Sequence, residues 1–177
     1  STAGNIHFTL ANRNISTGCN FTYNGSVAQE TGDGLNNIGN LQGNLTISNT
    51  TNDVTFTEDL NIADGFELLV DEGATFVMAA NNEIITASGT TTATINGTLK
   101  TGDISGLSAS TGANLQGFST ISLGSNSLIE YNRSGSQTIT NQSTYNNLTI
   151  SNGGASNDFS GTLDVDGDLA WDEFGGD

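Results

Sequence analysis

Strand-forming segments in this chain are only three to five residues long, and they recur on a pitch of about eight residues. From Leu45 to Met78 the apolar residues alternate as Leu45-x-Ile47, Val54-x-Phe56, Leu60-x-Ile62, Phe66-x-Leu68-x-Val70 and Phe76-x-Met78. A period of two puts alternate side chains on one face of a strand. Polar breakers such as SNTTND, ADG, DEGA and ASGT separate the runs, and Gly65 to Gly73 and Gly89 to Gly97 are each eight residues apart. An ordinary β-sandwich uses longer strands between its turns. Strands this short suit a parallel β-helix, or β-solenoid, in which about three of them make one coil of roughly 24 residues. The expectation is an all-β solenoid of roughly seven coils with no substantial helix. The run FELLVDEGATFVMAA over 66–80 is apolar enough for a helix, but Gly73 at its centre and Thr75-Phe76-Val77 favour two strands. After Thr101 weaker rungs are expected at Ile104, Leu107, Leu115-x-x-Phe118, Ile121-x-Leu123 and Leu128-Ile129-x-Tyr131, and then at Leu163-x-Val165 and Leu169-x-Trp171.

An internal repeat sharpens this reading. Tyr23, Asn24, Ser26 and Gln29 spell Y-N-x-S-x-x-Q, and Tyr131, Asn132, Ser134 and Gln137 spell it again 108 residues later. The pentamer Leu45-Thr46-Ile47-Ser48-Asn49 returns as Leu148-Thr149-Ile150-Ser151-Asn152 after 103 residues, and Asn52-Asp53 is echoed by Asn157-Asp158. Ordered matches in three blocks indicate a true repeat of roughly 105 residues. The chain is therefore read as one solenoid, residues 1–177, of two degenerate modules, about 1–110 and 111–177, the second incomplete. Tyr23 and Tyr131 should hold equivalent sites on different coils, as should Ile47 and Ile150, with both isoleucines buried. The apolar fraction of 34% is low, yet a solenoid needs apolar residues only on its inner columns. Thr, Ser and Asn serve outside, and stacked Asn can form ladders along the axis. With no Pro in the chain, every backbone N–H remains free to pair.

The text YNRSGSQTIT followed by YNNLTIS, within residues 131–152, resembles the repeats of large secreted and cell-surface proteins common in Bacteroidota. The resemblance implies a parallel β-solenoid, an extracellular or cell-surface location, and a role as stalk, adhesin or filament building block. The first copy departs from it, with Glu30-Thr31-Gly32 where Thr138-Ile139-Thr140 would be matched.

A formal charge of −16, with Arg13, Lys100 and Arg133 as the whole cationic complement, opposes nucleic-acid binding. Neither a membrane-spanning run nor a signal peptide is read, so no membrane insertion is expected. The start at Ser1 suggests a processed product or part of something longer. Cys19 is the single cysteine and is expected as a small buried hydrophobe. Nine N-x-S/T sequons, a small excess over chance in so Asn-rich a chain, allow glycosylation.

Catalysis finds little purchase. His7, the lone histidine, sits in an alternating strand-like run, and the cations are scattered. Adjacent carboxylates such as Glu58-Asp59 and Asp71-Glu72 point to opposite faces in a strand, whereas an inverting hydrolase needs a facing pair. The chain is read as a non-enzyme, with a carbohydrate-binding or carbohydrate-active solenoid as the alternative. Ice binding is a further alternative, but Thr55-x-Thr57, Thr92-x-Thr94 and Thr138-x-Thr140 lack the constant spacing of a flat array. No cofactor is expected beyond a weak Ca²⁺ site at Asp164, Asp166, Asp168 and Asp172. That run departs from a calcium loop at Leu169 and Gly175, where Gly and Glu are needed. Expected partners are neighbouring modules or subunits joined end to end, and surface glycans.

Overall fold

The computed structural model describes residues 17–32, 35, 40–79, 82–86, 89–142, 144–151, 157–159 and 161–171. The run Ile6-x-Phe8-x-Leu10, His7, Arg13 and Asp172 lie outside them. Among the described residues, eighteen short strands wind as a parallel β-solenoid of about six turns, against the roughly seven expected. Face one stacks β1 (Phe21–Tyr23), β4 (Leu45–Ile47), β7 (Glu67–Val70), β10 (Thr92–Ile95) and β13 (Thr120–Leu123). Face two stacks seven strands: β2 (Gln29–Glu30), β5 (Val54–Phe56), β8 (Thr75–Met78), β11 (Thr98–Thr101), β14 (Leu128–Tyr131), β16 (Asn147–Ile150) and β18 (Leu169–Trp171). Face three holds β3 (Asn40–Leu41), β6 (Leu60–Ile62), β9 (Ile84–Thr86) and β12 (Leu115–Gln116). In the next two turns its place is taken by a separate pair, β15 (Gln137–Ile139) and β17 (Asn157–Phe159).

Alternation along each rung gives the core. Tyr23, Ile47, Val70 and Ile95 lie directly over one another on face one, all buried. On face two Val54, Phe76, Leu99, Ile129 and Leu148 form one buried column. Phe56, Met78, Thr101, Tyr131 and Ile150 form the next, and Phe56 packs edge-on against Phe76 at 5.8 Å. Each such aliphatic side chain is worth about 1.5–3 kcal/mol of burial.

Both repeat isoleucines are fully buried, and the two tyrosines share a role. Tyr23 stands over Ile47, and Tyr131 over Ile150. After each tyrosine the glutamine turns back to cap the corner: Gln29 Oε1 accepts from Gly25 N at 2.7 Å, and Gln137 Oε1 from Arg133 N at 3.2 Å. The first copy, however, runs from face one to face two, and the second from face two to face three. The motif thus specifies a strand, a corner and a rung-on-rung contact, with no fixed face. The Asn-Asp echo fails in register, because Gln29 pairs with Val54 but Gln137 with Asn157.

Asparagines do repeat along the axis, in a form the sequence did not suggest. Asn20 Oδ1 accepts from Asn44 N at 2.8 Å, and Asn44 Oδ1 from Glu67 N at 3.0 Å. Asp59 serves Glu83 N, Asp64 serves Thr90 N, and Asn147 serves Asp168 N in the same way. At corners the ladder ends, and a side-chain oxygen from the rung below replaces the missing carbonyl. Donation by the Thr90 N–H holds the Asp64 carboxyl below its ordinary range. Cys19, expected to be buried, is exposed. Its carbonyl lies where a Cβ on Gly43 would stand, 2.0 Å away, so main chain rather than thiol fills that contact.

Ile47→Ala and Ile150→Ala should each cost about 2–5 kcal/mol, measured by denaturant midpoints. Gly97 joins β10 to β11 with Asp71 O and Ala74 O at 2.3 and 2.4 Å from any added Cβ, so Gly97→Ala should destabilise by about 1–3 kcal/mol.

Candidate functional site

Face three breaks between β12 and β15, and the break is made by residues 102–114, which leave the coil after β11. Ile104 and Leu107, expected as rungs, belong to this excursion instead: Ile104 is exposed and Leu107 buried. The main chain of the excursion substitutes for a strand. Ile104 O accepts from Thr138 N of β15 at 2.8 Å. Gly106, at φ +68°, lies so close to β15 that a Cβ would stand 2.1 Å from Thr138 O. Gln137 Nε2 donates to Thr101 O and Asp103 O at 2.7 and 2.8 Å, while Asp103 Oδ1 caps Ser105 N at 2.7 Å. Leu107 O accepts from Gln142 Nε2 at 2.7 Å and from Thr140 Oγ1. These bonds hold the excursion to the following turn.

The displaced strands leave an open cleft of about 520 Å³. Ser105, Ser108, Ala109 and Ser110 of the excursion form one wall, and Phe118 to Ile121 the second. Thr138, Thr140, Asn141 and Gln142 close the third side, and among the described residues no charged side chain lines it. Ser108 and Ser110 bond to each other through their hydroxyls at 2.9 Å, and Ser119 Oγ donates to Thr91 O at 2.8 Å.

Behind the cleft Tyr131 and Tyr145 meet edge to face at 6.4 Å, with their hydroxyls 2.7 Å apart. Thr140 N donates to Tyr131 OH, and Tyr145 OH donates to Thr140 O at 2.6 Å. With Tyr131 donating to Tyr145, the ring closes and all three donors are used. Burial raises the pKa of both tyrosines and pushes that of Tyr23 up to about 12.

The acidic run from Asp164 to Asp168 follows the strand pattern. Leu163 and Val165 pack on the core while Asp164, Asp166 and Asp168 are exposed. Val165 bridges Tyr145, Asp164 Oδ2 accepts from Thr144 Oγ1 at 3.3 Å, and Asp168 is tied through its N–H to Asn147. Among the described residues no three His, Cys, Asp or Glu side chains converge as metal ligands.

Two groupings escaped sequence reading. Glu83 gathers with Asp59 and Asp103 from neighbouring turns, and burial, then these two charges, raise its carboxyl above the ordinary range. The three threonine pairs lie on three different sides of the coil, but Thr92 and Thr94 stand directly over Thr120 and Ser122. Glu67 and Leu69 interrupt that array on the preceding rung. Both groupings depend on register across 20 or more residues, which local spacing does not carry.

At the far end of face two, β18 extends the core columns: Leu169 lies on Leu148, and Trp171 on Ile150. They are 52% and 49% exposed, and Phe159 packs beside Trp171 at 5.9 Å. Comparison with known protein families, curated proteins and solved structures finds no match to the chain.

All three tyrosines of the chain are buried, so alkaline titration should show no tyrosinate near the ordinary pKa of about 10. Because the folded-state pKa values are raised, this stabilisation is whole below about pH 10 and lost as pH climbs. Tyrosinate absorbance should rise together with unfolding, as followed by circular dichroism. Glu83→Gln removes a carboxylate held among like charges, and should raise the melting temperature slightly at pH 7. The gain should vanish on acidification, where Glu83 itself is protonated.

Proposed function

We propose that the chain is an extracellular structural and adhesive repeat module, a stalk, surface adhesin or filament building block that joins its neighbours end to end. The observation that carries this reading is the uncovered end of the core columns at β18. Leu169 and Trp171 continue two columns that are buried on every rung of face two from β5 to β16, and the outer edge of β18 has no strand on it among the described residues. Such an edge pairs with a further rung, whose inward residues would cover the exposed apolar surface. The occupant is thus another rung of the same kind, from the next module or from a second copy. The resemblance of the YNxSxxQ and YNNLTIS text to surface-protein repeats supports the same role and location. A stack whose face two runs unbroken through seven strands supplies stiffness by the means that holds each rung.

Repulsion between chains of charge −16 opposes this association and is screened as ionic strength rises. Sedimentation velocity of the 177-residue chain should therefore show larger species at about 0.5 M salt than at about 0.01 M, where the Debye length is about 30 Å. Leu169→Lys with Trp171→Lys should leave the fold intact and abolish the larger species. A monomer at every ionic strength would refute end-to-end assembly of separate subunits.

A further inference from the structure

We propose that the cleft at the break in face three is a binding site for a strand of neutral polysaccharide. The inference stands apart from end-to-end assembly, since the cleft lies on the side of the coil and β18 at its end.

Three observations converge on it. The first is the excursion itself. Ile84 and Leu115 are neighbours in the stack but 31 residues apart, whereas Leu60 and Ile84 are separated by 24. In solenoids such insertions collect on one side, often the binding side. This one is locked by Gly106 and by the bonds from Thr140 and Gln142 to Leu107 O, so the cleft is formed before any ligand arrives.

The second is the polarity of its walls. Ser119, exposed on the wall, spends its hydroxyl proton on Thr91 O, which leaves its oxygen lone pairs facing the cleft. A matching ligand must bring O–H donors of its own. A polyol does so and an acceptor-rich anion does not. Ala109 and Ile121 supply small apolar patches for the C–H faces of sugar rings.

The third is charge and size. The lining is neutral in a chain of net charge −16, so an anionic glycan meets repulsion with no local cation to offset it. A volume of about 520 Å³ lies within the usual range for small-ligand clefts, and the open shape admits a chain passing through.

Hexaoses of β-1,4-glucose, β-1,4-xylose, β-1,4-mannose and β-1,3-glucose are suitable probes, with a galacturonate hexamer of equal length for comparison. Titration calorimetry of the intact chain should show at least one neutral hexaose bound with a Kd of about 1 mM or tighter. The galacturonate should bind at least about tenfold more weakly. Ala109 is exposed at the cleft wall, so Ala109→Trp should fill the space without changing the melting temperature, and should weaken binding at least about tenfold. Thr138→Val keeps the shape, removes one hydroxyl and should weaken it several-fold. Failure of all four neutral hexaoses, equal binding of galacturonate, or unchanged affinity in Ala109→Trp would each overturn the proposal.

Discussion

The slanted main-chain hydrogen bonds of a parallel ladder hold each residue in register over one partner on the rung below, about 4.8 Å away. Side chains that share a ladder position must therefore share a column. Where the column faces inward it has to be apolar, or polar and internally bonded. Where the chain turns a corner the ladder stops, and main-chain N–H groups lose their partners. The use of Asn20, Asn44, Asp59, Asp64 and Asn147 as acceptors for the next rung answers that loss at five separate places. Part of the acidic, Asn-rich composition is thus structural, and two of the carboxylates behind the net charge serve as corner acceptors.

Much of the fold was legible because inward columns leave a period of two in the text. Leu45-x-Ile47, Val54-x-Phe56, Leu60-x-Ile62 and Phe76-x-Met78 all appear as rungs with the expected sides buried. The burial of Ile47 and Ile150 was legible too. Rungs without alternation were harder to see: β9 reads Ile84-Ile85-Thr86, with adjacent isoleucines on opposite sides. Ile104 and Leu107 imitate rungs by composition, yet they lie where the main chain leaves the coil. The cleft was invisible in the sequence for a related reason. It exists because β12 and β15 fail to pair, and a missing pairing leaves no local signature.

The buried polar layer near the fourth and fifth turns is the most consequential local structure. Thr101, Asp103, Asn114 and Gln137 are all within the core, where unpaired polar groups are costly. Thr101 bonds Asn114, Gln137 bonds Thr101 O and Asp103 O, and the Tyr131–Tyr145–Thr140 ring adjoins them. A satisfied network of this kind tolerates few alternatives in register. It fixes where the excursion leaves and returns, and so the position of the cleft walls.

The displacement of the repeat from one face to the next also bears on how a rod of such units would present itself. About 105 residues of sequence bring the motif back rotated by roughly a third of a turn, since the coil has three faces. Identical loops on successive units would then project at different azimuths, like steps on a spiral stair. Adding or removing residues at a corner resets that angle while the inward columns stay filled. Variation in corner length is therefore a dial for the direction in which surface features point, separate from the interior that keeps the rod folded.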